Sequence, residues 1–308
     1  MEHIALGLVG YGKIAQDQHL PAILGNPAYQ LKAVATLGQP CPNVVNFRSL
    51  DSLLKEGPPV GALSFCTPPQ GRYAQVREAL LAGKHVLVEK PPCASLGEAM
   101  ALAELARAQS VTCLFAWHSR FAPAVEPARQ WLRGRTLRSV AITWKEDVRK
   151  WHPGQAWIWQ AGGQGVFDPG INALSIATAL LPEPLFVTAA QLDVPANHQA
   201  PIAAQLHMTD AHGLPVTAEF DWDHRDPDIW RIVVETEDGV LRLEQGGATL
   251  LIDDVAQPLP TEAEYPALYQ HFAQLIVQQR SDADLQPLRL VADAFMAGSR
   301  RQVAAFIE

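Results

Sequence analysis

The run Gly10-Tyr11-Gly12-Lys13-Ile14-Ala15 combines two glycines and an alanine in a spacing that suits an anion. The first glycine permits a tight turn, the second lets the main chain approach a phosphate, and Ala15 keeps a helix close to the preceding strand. Free N–H groups and the dipole at a helix start then favour a pyrophosphate, although a plain strand-to-helix turn can look the same. Two later runs end in Cys66-Thr67-Pro68-Pro69 and in Glu89-Lys90-Pro91-Pro92, where prolines fix the backbone around a hydroxyl, a carboxylate and an ammonium. Asp168 and Asn172 are four residues apart and share one face of a helix start. A carboxylate can accept a proton there; a neutral amide can only orient a hydroxyl. A helix cap is the structural alternative for Asp168.

These groups need elements to position them. Apolar runs at Ile4–Val9, Leu31–Thr36, Val60–Cys66, His85–Val88 and Val111–Ala116 alternate with helical patterns at Lys13–Leu24, Ser49–Lys55, Gly71–Ala82 and Ser95–Ala108. Strands apolar on both faces and separated by helices predict a doubly wound parallel α/β domain, with Gly10, Thr67 and Lys90 at the carboxyl ends of strands. Beyond Arg133 the runs alternate: Arg138–Lys145, Val187–Val194, Ala203–Thr209, Val216–Trp222, Ile229–Thr236, Val240–Glu244 and Thr249–Asp253, with a turn signal at Asp238-Gly239. Helical patterns at Ile171–Leu181, Tyr265–Gln279 and Leu288–Ile307 complete an α+β domain with a largely antiparallel open sheet. The expected division is 1–120, closed by a helix to about 133, and 121–308.

The second strand ends in Thr36-Leu37-Gly38, with neither an acidic residue for a ribose hydroxyl nor an arginine for a 2′-phosphate. NAD is the expected dinucleotide, with NADP tolerated. Composition narrows the partners. The net charge is −8, which disfavours binding to a nucleic-acid backbone. No apolar run approaches the ~18 residues of a membrane span and no signal peptide is apparent, so a cytoplasmic protein is expected. The cysteines, Cys41, Cys66, Cys93 and Cys113, form no metal-binding or disulfide pattern, so no metal is expected.

Gly10–Ala15, the Cys66–Pro69 run and Gly83-Lys84-His85-Val86-Leu87-Val88-Glu89-Lys90-Pro91-Pro92 together resemble the Gfo/Idh/MocA oxidoreductases, which use NAD(P) on sugars and polyols. Gly162-Gly163-Gln164-Gly165-Val166-Phe167-Asp168-Pro169-Gly170-Ile171-Asn172 is similar to a second family segment, with Asn172 where the family usually has histidine. Trp144–Trp159, Val166–Ile176, Tyr11–Ala22, Ala116–Arg120 and Pro287–Phe295 resemble the branch that oxidises the anomeric carbon of L-arabinose and D-galactose to the aldonolactone.

The resemblance implies a dinucleotide held by Gly10, Gly12, Lys13, Ile14, Thr36, Leu37, Thr67, Pro68, Glu89 and Lys90. It implies a catalytic set of Lys90, Asp168 and Asn172, with Asp168 the base and Lys90 the alternative. The sugar would meet His118, Glu146, Trp151, His152, Asp168, Asn172 and Trp230. Carboxylates, imidazoles and amides suit its hydroxyls and indoles its C–H faces. A homodimer is implied as well. Two other readings compete: a family member acting on another sugar or an inositol, and a non-catalytic NAD(P)-binding regulator.

Overall fold

The computed structural model describes residues 3–261 and 264–308. They divide into two compact units, each with its own sheet. In the first, β1 (Ile4–Val9) leads through a π-helical turn, Ala15–His19, into α1 (Leu20–Leu24). Then come β2 (Tyr29–Ala35), β3 (Val45–Phe47), α2 (Leu50–Glu56), β4 (Ala62–Phe65), α3 (Arg72–Leu81), β5 (His85–Glu89), α4 (Leu96–Ala108) and β6 (Cys113–Ala116). All six strands are parallel, in the order β3-β2-β1-β4-β5-β6. This is the expected doubly wound sheet. Its strands are buried on both faces, which is why they read as unbroken apolar runs. The chain leaves β1 for β2 on one side and later returns to β4 on the other, so the strand order reverses between β1 and β4.

The second unit opens with α5 (Val125–Leu132), β7 (Leu137–Lys145), α6 (Val148–Trp151) and α7 (Phe167–Leu180). It continues through β8 (Phe186–Pro195), β9 (Ala203–Thr209), β10 (Val216–Asp221), β11 (Ile229–Thr236), β12 (Gly239–Glu244), β13 (Thr249–Ile252) and β14 (Val255–Ala256). The last elements of the chain are α8 (Glu264–Gln278), α9 (Gln286–Ala297) and β15 (Gly298–Val303). The second sheet runs β14-β13-β12-β11-β7-β10-β9-β8-β15 and is antiparallel except for the β7–β10 and β8–β15 pairs. Alternate residues of β9 and β10 are buried, so one face is covered while the other stays open. The covering helix α7 is buried along most of its length. Phe167 meets the Phe220 ring edge-on at 5.8 Å, and Gly170 lets the helix lie against that same ring.

Three features depart from the sequence reading. The pattern Leu288–Ile307 is not one helix: α9 stops at Ala297, and the chain continues as β15 beside β8. Ile307, at the end of that pattern, is 78% exposed, while Arg301 reaches the Asp193 carboxylate across the strand pair. The short strand β3 was not foreseen because three residues around Asn46 carry no periodicity. The units also do not follow a single cut in the chain. The first takes residues 3–117 and 264–285, so α8 belongs to it; residues 118–132 belong to the second. The reason is the aromatic face of α8. Tyr265, Tyr269 and Phe272 are buried, and Tyr269 lies edge-on to Tyr29 while its carbonyl accepts the Tyr29 hydroxyl at 2.7 Å.

Candidate active site

In the first unit the fingerprint turn lies where the strand order reverses. Gly10 follows β1 with φ of 89°, and its N–H is bonded to Ala35 of β2. A Cβ on Gly10 would stand 2.9 Å from the Thr67 nitrogen, so a side chain there would strike the loop after β4. At Gly12 a Cβ would meet nothing within 4 Å, which leaves open space over the turn. This cradle fits a dinucleotide pyrophosphate, with main-chain groups facing room that only glycine leaves. Lys13 is exposed and pairs with Asp17, so it is a solvated surface cation in this arrangement. Ile14 and Leu37 are exposed apolar side chains. The Thr36 hydroxyl accepts the Gly38 N–H at 3.1 Å, and the Thr67 hydroxyl donates to Gln75 at 2.9 Å. Pro68 is exposed beside Thr67.

Lys90 lies just past β5, preceding a cis peptide bond to Pro91. Its backbone is held by two buried charged side chains that the sequence reading had not grouped with it. Arg72, at the start of α3, donates to the carbonyls of Glu89, Pro91 and Thr67, and so ties the two proline-flanked loops together. Glu89 accepts the Lys90 N–H at 2.7 Å. It also accepts the Tyr265 hydroxyl at 2.6 Å and stands 3.1 Å from His19 Nε2. His19 closes the π-helical turn, fully buried, with Nδ1 2.8 Å from the Tyr269 hydroxyl. Burial alone would hold its pKa down; the neighbouring Cys66, Tyr269 and Glu89 reverse this and raise it well above the usual histidine value. Tyr265 is pushed up as well, by burial first and then by the Glu89 charge.

In the second unit, Asp168 stands in the first turn of α7 and is 3% exposed. His152 Nε2 lies 3.3 Å from its Oδ2. The histidine follows α6, which Asp147 caps by accepting the Arg149 N–H at 2.9 Å. Asn172 is one turn further along α7, half-buried. Asp168 thus has an imidazole beside it from a position sixteen residues upstream in the chain, although the segment itself carries Asn172.

The His152 ring also meets Trp222 edge-on at 5.3 Å. Glu146, just past β7, accepts the Trp222 indole N–H at 3.1 Å and that of Trp230 at 2.8 Å. Trp230 in turn packs against Trp151, 5.6 Å away and 39% exposed, and stacks on Trp144. Glu146, Trp151, His152, Asp168 and Trp230 therefore form one connected group, and Trp222 is the link that the sequence reading missed. Its only sequence signal was its place at the end of an alternating run. Trp159 is buried behind this group, tilted against Trp222 at 5.4 Å, stacked on His198 and packed against Phe306. His118 is half-buried and next to Ser119. The following Arg120 holds this turn to α7 through the Ser175 carbonyl and the Thr178 hydroxyl, both at 2.9 Å.

Among the described residues no helix is long and apolar enough to cross a membrane. A sequence model described as "Oxidoreductase family, NAD-binding Rossmann fold" matches residues 4–116. Over the full length of both chains the protein is 60% identical to galactose 1-dehydrogenase of Pseudomonas fluorescens. A crystal structure of D-galactose-1-dehydrogenase from Rhizobium etli superposes with a TM-score of 0.95 at 51% identity, covering 100% of this chain and 99% of that one. KijD10, a 3-ketoreductase from Actinomadura kijaniata, shares the fold at 19% identity, with a TM-score of 0.87 over 98% of this chain and all of its own. With a dinucleotide cradle at the reversal of the first sheet and full-length relatives of this similarity, the chain belongs to the Gfo/Idh/MocA family of NAD(P)-binding oxidoreductases.

Proposed function

We propose that the protein is an aldose 1-dehydrogenase that oxidises the anomeric carbon of D-galactose, L-arabinose or D-fucose to the aldonolactone. The observation that carries this reading is the buried Asp168 carboxylate paired with His152 inside a group of indoles. Full-length similarity to a protein named galactose 1-dehydrogenase supports the same substrate class. D-Galactose, L-arabinose and D-fucose share ring stereochemistry and differ only in the substituent on C5.

In this reading a bound nicotinamide dinucleotide, NAD with NADP tolerated, would supply the hydride acceptor for C1. Gly12 and Ile14 hold its phosphates through main-chain N–H groups, Gly10 gives the tight turn that brings the chain there, and Thr36 meets the ribose. Asp168 takes the O1 proton, and its pairing with His152 keeps the carboxylate oriented while the proton moves. Lys90 offsets negative charge on O1 as the proton leaves. Asn172 orients a sugar hydroxyl by hydrogen bonding, since its amide has no useful basicity. Trp151 and Trp230 offer indole faces to the sugar's C–H surface, and His118 a ring nitrogen to a hydroxyl. Glu146 contributes by holding Trp230. The reading also takes the protein as a cytoplasmic homodimer.

Initial rates of nicotinamide reduction with the three aldoses and each dinucleotide test this directly. Turnover with D-galactose or L-arabinose, and lactone as product, is expected. Activity confined to an inositol or to another position of the sugar would overturn it.

A further inference from the structure

The lysine assigned above to the reacting oxygen sits where the chain leaves the sheet. Glu89 is the last residue of β5 and still pairs with Ala116 of β6; beyond it the ladder ends. The Lys90 N–H and the carbonyls of Glu89 and Pro91 must then find other partners, because buried main-chain groups are rarely left unpaired. Two ionisable side chains supply them, Glu89 for the N–H and Arg72 for the carbonyls. A neutral turn would satisfy these groups at lower desolvation cost, and isolated buried charges are expensive. Here each charge is embedded in further contacts. The second oxygen of Glu89 takes the Tyr265 hydroxyl and faces His19, and His19 reaches Tyr269, whose hydroxyl lies 2.8 Å from Ser64 Oγ. The participants come from the π-helical turn, β4, β5 and α8, four separate elements converging on one main-chain amide.

We propose that Glu89 is the positioning residue of Lys90: its carboxylate, held by His19 and Tyr265, fixes the lysine main chain and so aims the ammonium. The proposal rests on the assignment of Lys90 to the reacting oxygen, and it gives Glu89 a role apart from cofactor contact. The group is built for a carboxylate. A glutamine could still accept the Lys90 N–H through its one oxygen, but its NH₂ would then face two groups that donate to Glu89. Reach matters equally, because a hydride transfer geometry tolerates displacements well below 1 Å.

The test compares Glu89→Gln and the nearly isosteric Tyr265→Phe with Lys90→Ala. Glu89→Gln should lower kcat about ten- to a hundred-fold and Tyr265→Phe about three- to ten-fold, with the KM for sugar and dinucleotide little changed. The isotope effect with C1-deuterated sugar should rise in both, since the chemical step becomes slower relative to product release. In the absence of any ligand, acetylation of Lys90 by acetic anhydride, followed by peptide mass spectrometry, should become several-fold faster. A merely structural role would lower the melting temperature without moving the isotope effect or the labelling rate, and that outcome overturns the proposal. Should Glu89→Gln not fold, Tyr265→Phe decides alone. If Lys90→Ala is inactive while both variants keep wild-type kcat, isotope effect and labelling, only the positioning role falls. If Lys90→Ala retains activity, the role of Lys90 falls and the proposal with it.

Discussion

The surroundings of Lys90 and those of Asp168 solve the same problem, the placement of one functional side chain under the proposed reading, by different means. Lys90 is held through its backbone, by buried ionisable groups gripping an amide and two flanking carbonyls. Asp168 is held by side-chain contacts: an imidazole at 3.3 Å that leans on Trp222, while Glu146 fixes the indoles behind it. The first arrangement fixes where the lysine side chain starts. The second fixes the carboxylate itself, within a wall whose outermost indole, Trp151, remains partly in solvent.

Substitutions can break or sharpen that contrast. The largest effect is expected from Asp168→Asn, which keeps the shape and removes the base; kcat should fall by ~10²–10⁴ with a modest change in sugar KM. Near wild-type turnover in that variant would leave the packed carboxylate without a chemical role. Smaller, about ten-fold in kcat/KM for the sugar, is the loss expected from His152→Gln, roughly the value of one hydrogen bond to a charged group. Unchanged steady-state constants there would mean that the Asp168–His152 pair is only structural. The smallest effect on the fold should come from Gly12→Ala, which has open space for its methyl group and should shift stability by less than about 0.5 kcal/mol. Its dinucleotide KM should nonetheless rise several-fold, because the methyl occupies the phosphate approach. Gly10→Ala is the control, and its clash with Thr67 should instead destabilise the first unit by about 1–3 kcal/mol. An unaltered cofactor KM in Gly12→Ala would reduce the fingerprint to an ordinary turn.

How far the sequence could be read follows from the same contrast. The bounds of β1, β9 and β11 were legible to the residue, since each is an apolar or alternating run closed by a turn. The fingerprint and the Glu89-Lys90-Pro91 run were legible because the positions that matter are neighbours in the chain. His19 lay inside a quoted stretch, yet its partners Glu89 and Tyr269 are 70 and 250 residues away, and no local pattern announces such a meeting. Glu146 and His152 were picked out by residue type within a segment that resembles the sugar-oxidising branch, and Trp230 by residue type. That Glu146 binds two indole N–H groups, and that His152 lies beside Asp168, became visible only when β7, α6, β11 and α7 were assembled with the end of β10. Arg72 had no signature beyond its place at a helix start. The misread stretch after Ala297 has a plain cause: Gly298 ends one pattern, and Val303 and Phe306 continue a spacing that a helix would also show.

The indole cluster around Glu146 has an optical consequence. Trp117 is the one tryptophan of eight that lies in the first unit; Trp131, Trp144, Trp151, Trp157, Trp159, Trp222 and Trp230 all lie in the second. Intrinsic emission is therefore a signal from the second unit and nearly silent about the first. A melt followed by fluorescence tracks the second sheet, whereas one followed by far-ultraviolet dichroism weighs both. Any gap between the two curves measures directly how independently the two units unfold.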